Sequence, residues 1–192
     1  MLLLLSGPTG VGKTTMLRRL MAYQGLQYTF VPLLTYTTRL PRPTEKHAYD
    51  YFFISDDEFL ELEGKDFFAE AVVVGGFRYG TARSALAQLR TDQVGCMVVN
   101  REGVRLWRAL HPDALAVWLY VSDMRMIADR LFLRHVQDAT YVQQRFRLAI
   151  EEESSENADP VCLFRVNNDL AEEGCDQLIR LVQTYREKKS FL

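Results

Sequence analysis

Four consecutive leucines at positions 2–5 run directly into a turn carrying glycines at 7, 10 and 12, and that turn opens a stretch with apolar residues every three or four positions. No basic segment precedes the leucines and a glycine-rich turn follows at once, so they read as a buried strand rather than a secretory signal. The turn itself is Gly7, Pro8, Thr9, Gly10, Val11, Gly12, Lys13 and Thr14. Its glycines let the backbone turn tightly and bring N–H groups, Val11 among them, against phosphate oxygens, where the following helix adds its partial positive charge. Lys13 suits the neutralisation of a transferring phosphate. The Thr14 hydroxyl suits the magnesium that accompanies a nucleoside triphosphate, with Thr15 in support. The four fixed positions arise by chance in on the order of one such chain in a hundred. The placement between strand and helix is what gives the pattern its mechanism.

The rest of the chain repeats that alternation. Short apolar runs at 2–5, 28–34, 96–99, 114–121 and 162–166 predict strands covered on both faces. Helical spacing at 14–23, 83–89, 102–110, 124–134, 141–153 and 170–185 separates most of them. The pattern predicts an α/β fold, a P-loop three-layer sandwich around a parallel core sheet. Residues 35–81 break the rhythm with a Pro-Arg-Pro turn, two aromatic-rich strand candidates at 51–53 and 67–74, and a Gly75-Gly76 turn. They are expected to form an inserted smaller lobe. Residues 125–154, helical and arginine-rich, are expected to form a lid, leaving 1–34, 82–124 and 155–192 as the core.

Lys plus Arg number 23 against 25 Asp plus Glu, so no overall basic field draws the chain to nucleic acid or an anionic membrane. No apolar run approaches the ~20 residues needed to span a bilayer. Cys96, Cys162 and Cys175 fall in no metal-ligand spacing, which predicts reduced thiols in a cytoplasmic compartment.

Thr35, Arg39, Arg42 and Tyr51 fall together on the inserted segment, where paired arginine forks and a phenol suit an anion. Composition alone fits a solvated turn equally well. Taken with the glycine loop, however, the chain resembles the guanylate kinases, enzymes that move a phosphoryl group from ATP to GMP. The resemblance runs through SGPTGVGKTT, TTRLPRPTE, DYFFIS, FAEAVVVGGFRYGT, the arginine-bearing helical insertion and a late VNNDL.

That resemblance implies ATP and magnesium as cofactors and nucleoside monophosphate as the other substrate. It assigns Arg39, Arg42, Tyr51 and Tyr79 to the acceptor's phosphate, and Thr35, Glu70 and Thr81 to guanine, whose N1 and N2 hydrogens a carboxylate can accept. Arg130, Arg134 and Arg145 resemble lid arginines that stabilise the transferring charge with Lys13 and Arg39. Asn167 matches a position near adenine; Arg147 reads as a solvated face charge. The family usually carries two aspartates where this chain has Val98 and Asn100, and Leu133 and His135 stand where it commonly has glycine. Asn100 keeps hydrogen-bonding ability without charge. The valine-valine-asparagine strand is similar to that of ribose 1,5-bisphosphate kinase. A modified nucleotide, that base-free acceptor, or a guanylate kinase-like interaction module therefore stand as alternatives.

Overall fold

The computed structural model describes residues 1–42, 45–134 and 138–189. In chain order the elements are β1 (Leu2–Ser6), α1 (Lys13–Ala22), β2 (Thr29–Pro32), β3 (Thr35–Thr37), β4 (Phe52–Phe53), α2 (Asp56–Gly64), β5 (Phe68–Val74) and β6 (Phe77–Ala82). They continue as α3 (Arg83–Ala87), β7 (Gln93–Val98), α4 (Arg101–Leu110), β8 (Leu115–Tyr120), α5 (Arg125–Arg134), α6 (Ala139–Ala158), β9 (Phe164–Asn167) and α7 (Ala171–Lys189).

Every residue of β1 is buried, as an unalternating apolar run requires of a central strand. It lies in the middle of a five-stranded sheet of order β2-β7-β1-β8-β9, with every pairing parallel. Leu3 and Leu5 face one way, into a core completed by Met16 and Leu20 of α1 and Leu178 and Val182 of α7. Leu2 and Leu4 face the other, against Val104 and Trp107 of α4. Period-two side-chain alternation thus feeds two helical layers from one strand, and burying each leucine contributes about 2 kcal/mol. The carboxyl ends of the parallel strands lie at one edge of the sheet. In such folds that edge holds the ligand, and here it receives the glycine loop, Asn100 and Asn168.

The second sheet, β4-β3-β6-β5, is built wholly from residues 35–82. Its composition is richer than the sequence pattern predicts, with four strands instead of two. The short β3 and the glycine-containing β6 carry too little alternation to stand out alone. Helix α2 is also unanticipated. Its signal is the Ser55/Glu58 capping box, in which each side chain bonds the other residue's backbone amide.

Candidate active site

The glycine loop folds tightly between β1 and α1. Gly7, Gly10 and Gly12 have φ of 145°, 83° and 107°, values open to glycine but costly to other residues. A Cβ on Gly7 would sit 2.4 Å from the Leu119 carbonyl oxygen. Gly12 caps α1 without any side-chain hydrogen bond to the helix, so the leading amides of α1 remain available to an anion. Thr14 and Thr15 are exposed on its first turn.

Lys13 curls over the loop, Nζ donating to the carbonyls of Gly7 at 2.6 Å and Pro8 at 3.0 Å. Burial lowers its pKa to about 8; the Glu152 carboxylate opposes that shift, while the charges of Arg145 and Arg42 add to it. Arg42 belongs to the small sheet's lobe and Arg145 to α6, so positive charge reaches Lys13 from two other parts of the fold.

Two further contacts bind α6 to the loop. Glu152 accepts the Thr9 amide at 2.6 Å, and the Arg145 guanidinium donates to the Thr9 hydroxyl. Arg145 and Glu152 are seven residues apart, two turns of helix, and so share a face. Of this pair, only Arg145 stands out in the sequence. The spacing was the signal for its carboxylate companion.

Arg130, expected among the lid arginines, reaches backbone carbonyls of the loop and of the segment after β9. Its guanidinium donates to the carbonyls of Val11 at 2.9 Å, Asn168 at 2.7 Å and Asp169 at 2.9 Å, bracing the loop against the end of β9. Asn168, buried at 2% exposure, adds a second bond to Val11 from Nδ2 at 2.7 Å. Its neighbour Asn167 accepts the Asp169 amide through Oδ1. Arg134 ends α5, its side chain outside the described residues, as is the whole of His135. Leu133 is 76% exposed and Arg147 is exposed.

On the small sheet, antiparallel register sets Thr35 opposite Thr81 and Thr37 opposite Tyr79, while Glu70 pairs with Thr81 beside a break in register between Phe68 and Glu70. Thr35, Thr81 and Glu70 therefore lie side by side across three strands. The Thr81 hydroxyl donates to Glu70 Oε1 at 2.8 Å. Glu70 Oε2 is buried without a hydrogen-bond partner, and burial raises the pKa of this carboxyl, offset in part by Thr81.

Next to them Arg39 lies over the Tyr51 ring, 5.4 Å from its centroid. Burial raises the Tyr51 pKa against the pull of Arg39, which keeps the phenol a donor. Burial also disfavours the Arg39 charge, but hydrogen bonds and charge attraction from Glu45 and Tyr79 outweigh it and hold its pKa above the ordinary value. Glu45, which the sequence did not mark as a site residue, pairs with Arg39 at 2.9 Å and Arg42 at 3.4 Å.

Asn100 follows β7, and its Oδ1 accepts the Gly103 amide as the cap of α4 at 2.8 Å. It borders a cleft of about 310 Å³ shared with Ser6, Gly7, Glu102, Trp118 and Glu152. Val98 packs half-buried against the main core.

A family model described as guanylate kinase matches residues 1–185. The chain belongs to the guanylate kinase family. It is 33% identical over 182 residues to the guanylate kinase of Thermobifida fusca, covering 94% of this chain and 90% of that one. It is 32% identical over 166 residues to the guanylate kinase of Schizosaccharomyces pombe, covering 85% and 81%. The crystal structure of guanylate kinase from Anaplasma phagocytophilum superposes with a TM-score of 0.71 over 96% of this chain and 85% of its own, at 22% identity. That superposition shows the α/β fold with its parallel core sheet. Within this guanylate kinase fold, the charge of Arg42 on the small sheet's lobe reaches Lys13 of the glycine loop.

Proposed function

We propose that this chain is an ATP-dependent nucleoside monophosphate kinase that phosphorylates GMP, dGMP included. The observation that carries the reading is the buried, partnerless Oε2 of Glu70 beside the Thr81 hydroxyl. A carboxylate oriented by a hydroxyl accepts from the N1 and N2 hydrogens of guanine, while Thr35 and Thr81 can serve O6; adenine offers the wrong pattern. A ribose 1,5-bisphosphate acceptor would leave that buried oxygen unpaired. An interaction module would have no use for the intact Lys13-Thr14 loop.

In this reading Arg39, Arg42, Tyr51 and Tyr79 hold the acceptor's phosphate with one oxygen aimed at the loop. The amides of Gly7, Gly10, Val11 and Gly12 and the first turn at Thr14 and Thr15 hold the triphosphate, with Asn167 near adenine. An acceptor oxygen bonds to the γ-phosphorus as the bond to the β-bridging oxygen breaks, and ADP leaves with that electron pair. Lys13, Arg39, Arg134 and Arg145 oppose the spreading charge; losing one such cation costs about 10²–10³ in rate. Arg130 contributes by holding the Val11 carbonyl, and so the loop. Asn100, its Oδ1 already accepting from the first turn of α4, offers its amide hydrogens to the acceptor. Docking of α6 on Thr9 excludes water from the transfer.

Magnesium fits this chain as a companion of the nucleotide. Among the described residues no group of three or more His, Cys, Asp or Glu could hold a metal, while the exposed Thr14 hydroxyl supplies the single oxygen that a largely hydrated ion needs. When bound it would neutralise charge on the β- and γ-oxygens. No described helix is long and apolar enough to cross a membrane, the composition shows no field for nucleic acid, and the three free thiols fit the reducing cytoplasm.

The test is acceptor-dependent ADP formation with magnesium, ATP and GMP, dGMP, AMP, CMP or UMP. GMP and dGMP are expected to exceed AMP by about 10³ or more, because a site built for guanine leaves its polar groups unpaired with adenine. No ADP formation with any guanine nucleotide refutes the proposal.

A further inference from the structure

The acceptor clamp described above holds one of the chain's own anions. Glu45 Oε2 lies 2.9 Å from Arg39 Nη2, and Oε1 lies 3.1 Å from the same nitrogen. Oε1 also meets Arg42 Nη1 at 3.4 Å, and Oε2 accepts the Arg42 amide at 2.8 Å. The contact is sheltered, with the Arg39 and Glu45 side chains only 14% and 13% exposed. The remaining terminal nitrogen of Arg39, Nη1, donates to the Leu40 carbonyl at 2.8 Å. Glu45 thus occupies an Nη2 N–H and Leu40 an Nη1 N–H of the guanidinium, and a phosphate that takes the Nη2 N–H as one of its paired hydrogen bonds must displace the carboxylate.

We infer that Glu45 is a specificity-determining residue, a tethered competitor that occupies the acceptor-phosphate seat and admits only anions able to displace a carboxylate. This deepens the GMP-kinase reading and rests on it. A phosphate monoester brings up to two charges and three terminal oxygens, against one charge and two oxygens for Glu45. A nucleoside, or a ligand ending in a lone carboxylate, gains nothing by the exchange. The same contact spares the empty clamp the repulsion of two adjacent guanidiniums near Lys13. Its cost is affinity for the true acceptor, traded for rejection of weaker anions.

Calorimetric titration of GMP, inorganic phosphate and guanosine onto the full chain and onto Glu45→Gln tests this. The glutamine keeps an acceptor for the Arg42 amide and loses the charge that holds Arg39. GMP and inorganic phosphate are both expected to bind the variant roughly tenfold more tightly, about 1.4 kcal/mol, the order of one charge-assisted hydrogen bond; guanosine is expected to be unchanged. Glu45→Asp, one methylene shorter, supplies a second variant should the first lose its thermal unfolding transition, and the same direction is expected. GMP binding that weakens or stays constant in these variants overturns the competitor and makes Glu45 a support for the arginines. If phosphate binding tightens but neither protein binds GMP, the competitor stands and the guanine reading falls.

Discussion

Replacing Glu70 by Gln removes a single buried charge from β5, an edge strand of the small sheet, and the guanine-binding role proposed for Glu70 assigns that change opposite effects on stability and on turnover. Burial raises the Glu70 pKa, so the folded chain holds this proton more tightly than the unfolded chain does. The stability from this preference is fully present below the ordinary glutamate value of about 4.3 and is lost as pH rises through the higher folded value. At neutral pH the ionised side chain is therefore a net strain on the ligand-free fold, with Oε2 lacking a partner. Glutamine keeps an acceptor for the Thr81 hydroxyl and carries no charge. The ligand-free variant is expected to melt at a temperature equal to or above that of the unaltered chain at pH 7.5, with the difference vanishing toward pH 4. Turnover moves the other way. A hydrogen bond to a charged acceptor contributes about 1.5–3 kcal/mol, and the new amide directs N–H groups at guanine's own donors. Together they predict a fall in kcat/KM for GMP of about 10²–10³, with ATP affinity unchanged. A coupled ADP assay and thermal unfolding on the same preparations decide it. A kcat/KM within threefold of the unaltered chain, or a clear loss of stability at neutral pH, would refute this assignment of Glu70.

Lys13→Ala is expected to abolish measurable phosphoryl transfer while the unfolding transition persists. Because the Lys13 pKa is lowered to about 8, its stability contribution is present above the unfolded lysine value of about 10.4 and is lost as pH falls through 8. ATP binding restores the charge, so titration between pH 8 and 9 should show proton uptake that disappears in the variant. Gly7→Ala is expected to cost about 3 kcal/mol or more, since its Cβ would meet the Leu119 carbonyl oxygen at 2.4 Å in a backbone conformation unsuited to alanine; an unchanged melting temperature would contradict that packing. Arg130→Met should lower the ligand-free stability by about 1–3 kcal/mol through the loss of its carbonyl contacts. Arg145→Met should instead leave melting nearly unchanged and lower kcat, and equal effects of the two on stability would erase the distinction between brace and lid cation.

The glycine loop was legible because its chemistry is local: Gly7, Gly10, Gly12 and Lys13 are adjacent in sequence, and the strand before them and helix after them carry their own periodicity. The lobe of residues 35–82 was legible only in part. Arg39, Arg42, Tyr51, Tyr79 and Glu70 stood out by resemblance, but β3 and β6, too short or too irregular to show alternation, were invisible until paired. Glu45, Glu152 and Asn168 escaped because acidic and amide side chains are common surface residues, and nothing local distinguishes one that reaches another element.

The sequence by itself determined a parallel α/β core, a phosphate loop between its central strand and first helix, and membership of a nucleotide-phosphorylating family, because strand period, helix period and glycine's conformational range act over a few consecutive residues. Only the tertiary structure decided that Arg130 braces Val11 while Arg145 reaches Thr9, that Asn100 caps α4, and that Glu45 lies against Arg39 and Arg42 while Glu152 accepts the Thr9 amide. Those outcomes depend on where side chains meet across more than a hundred positions in some cases, as between Thr9 and Glu152. Charge and hydrogen bonding respond to distance in space, which the order of residues does not state.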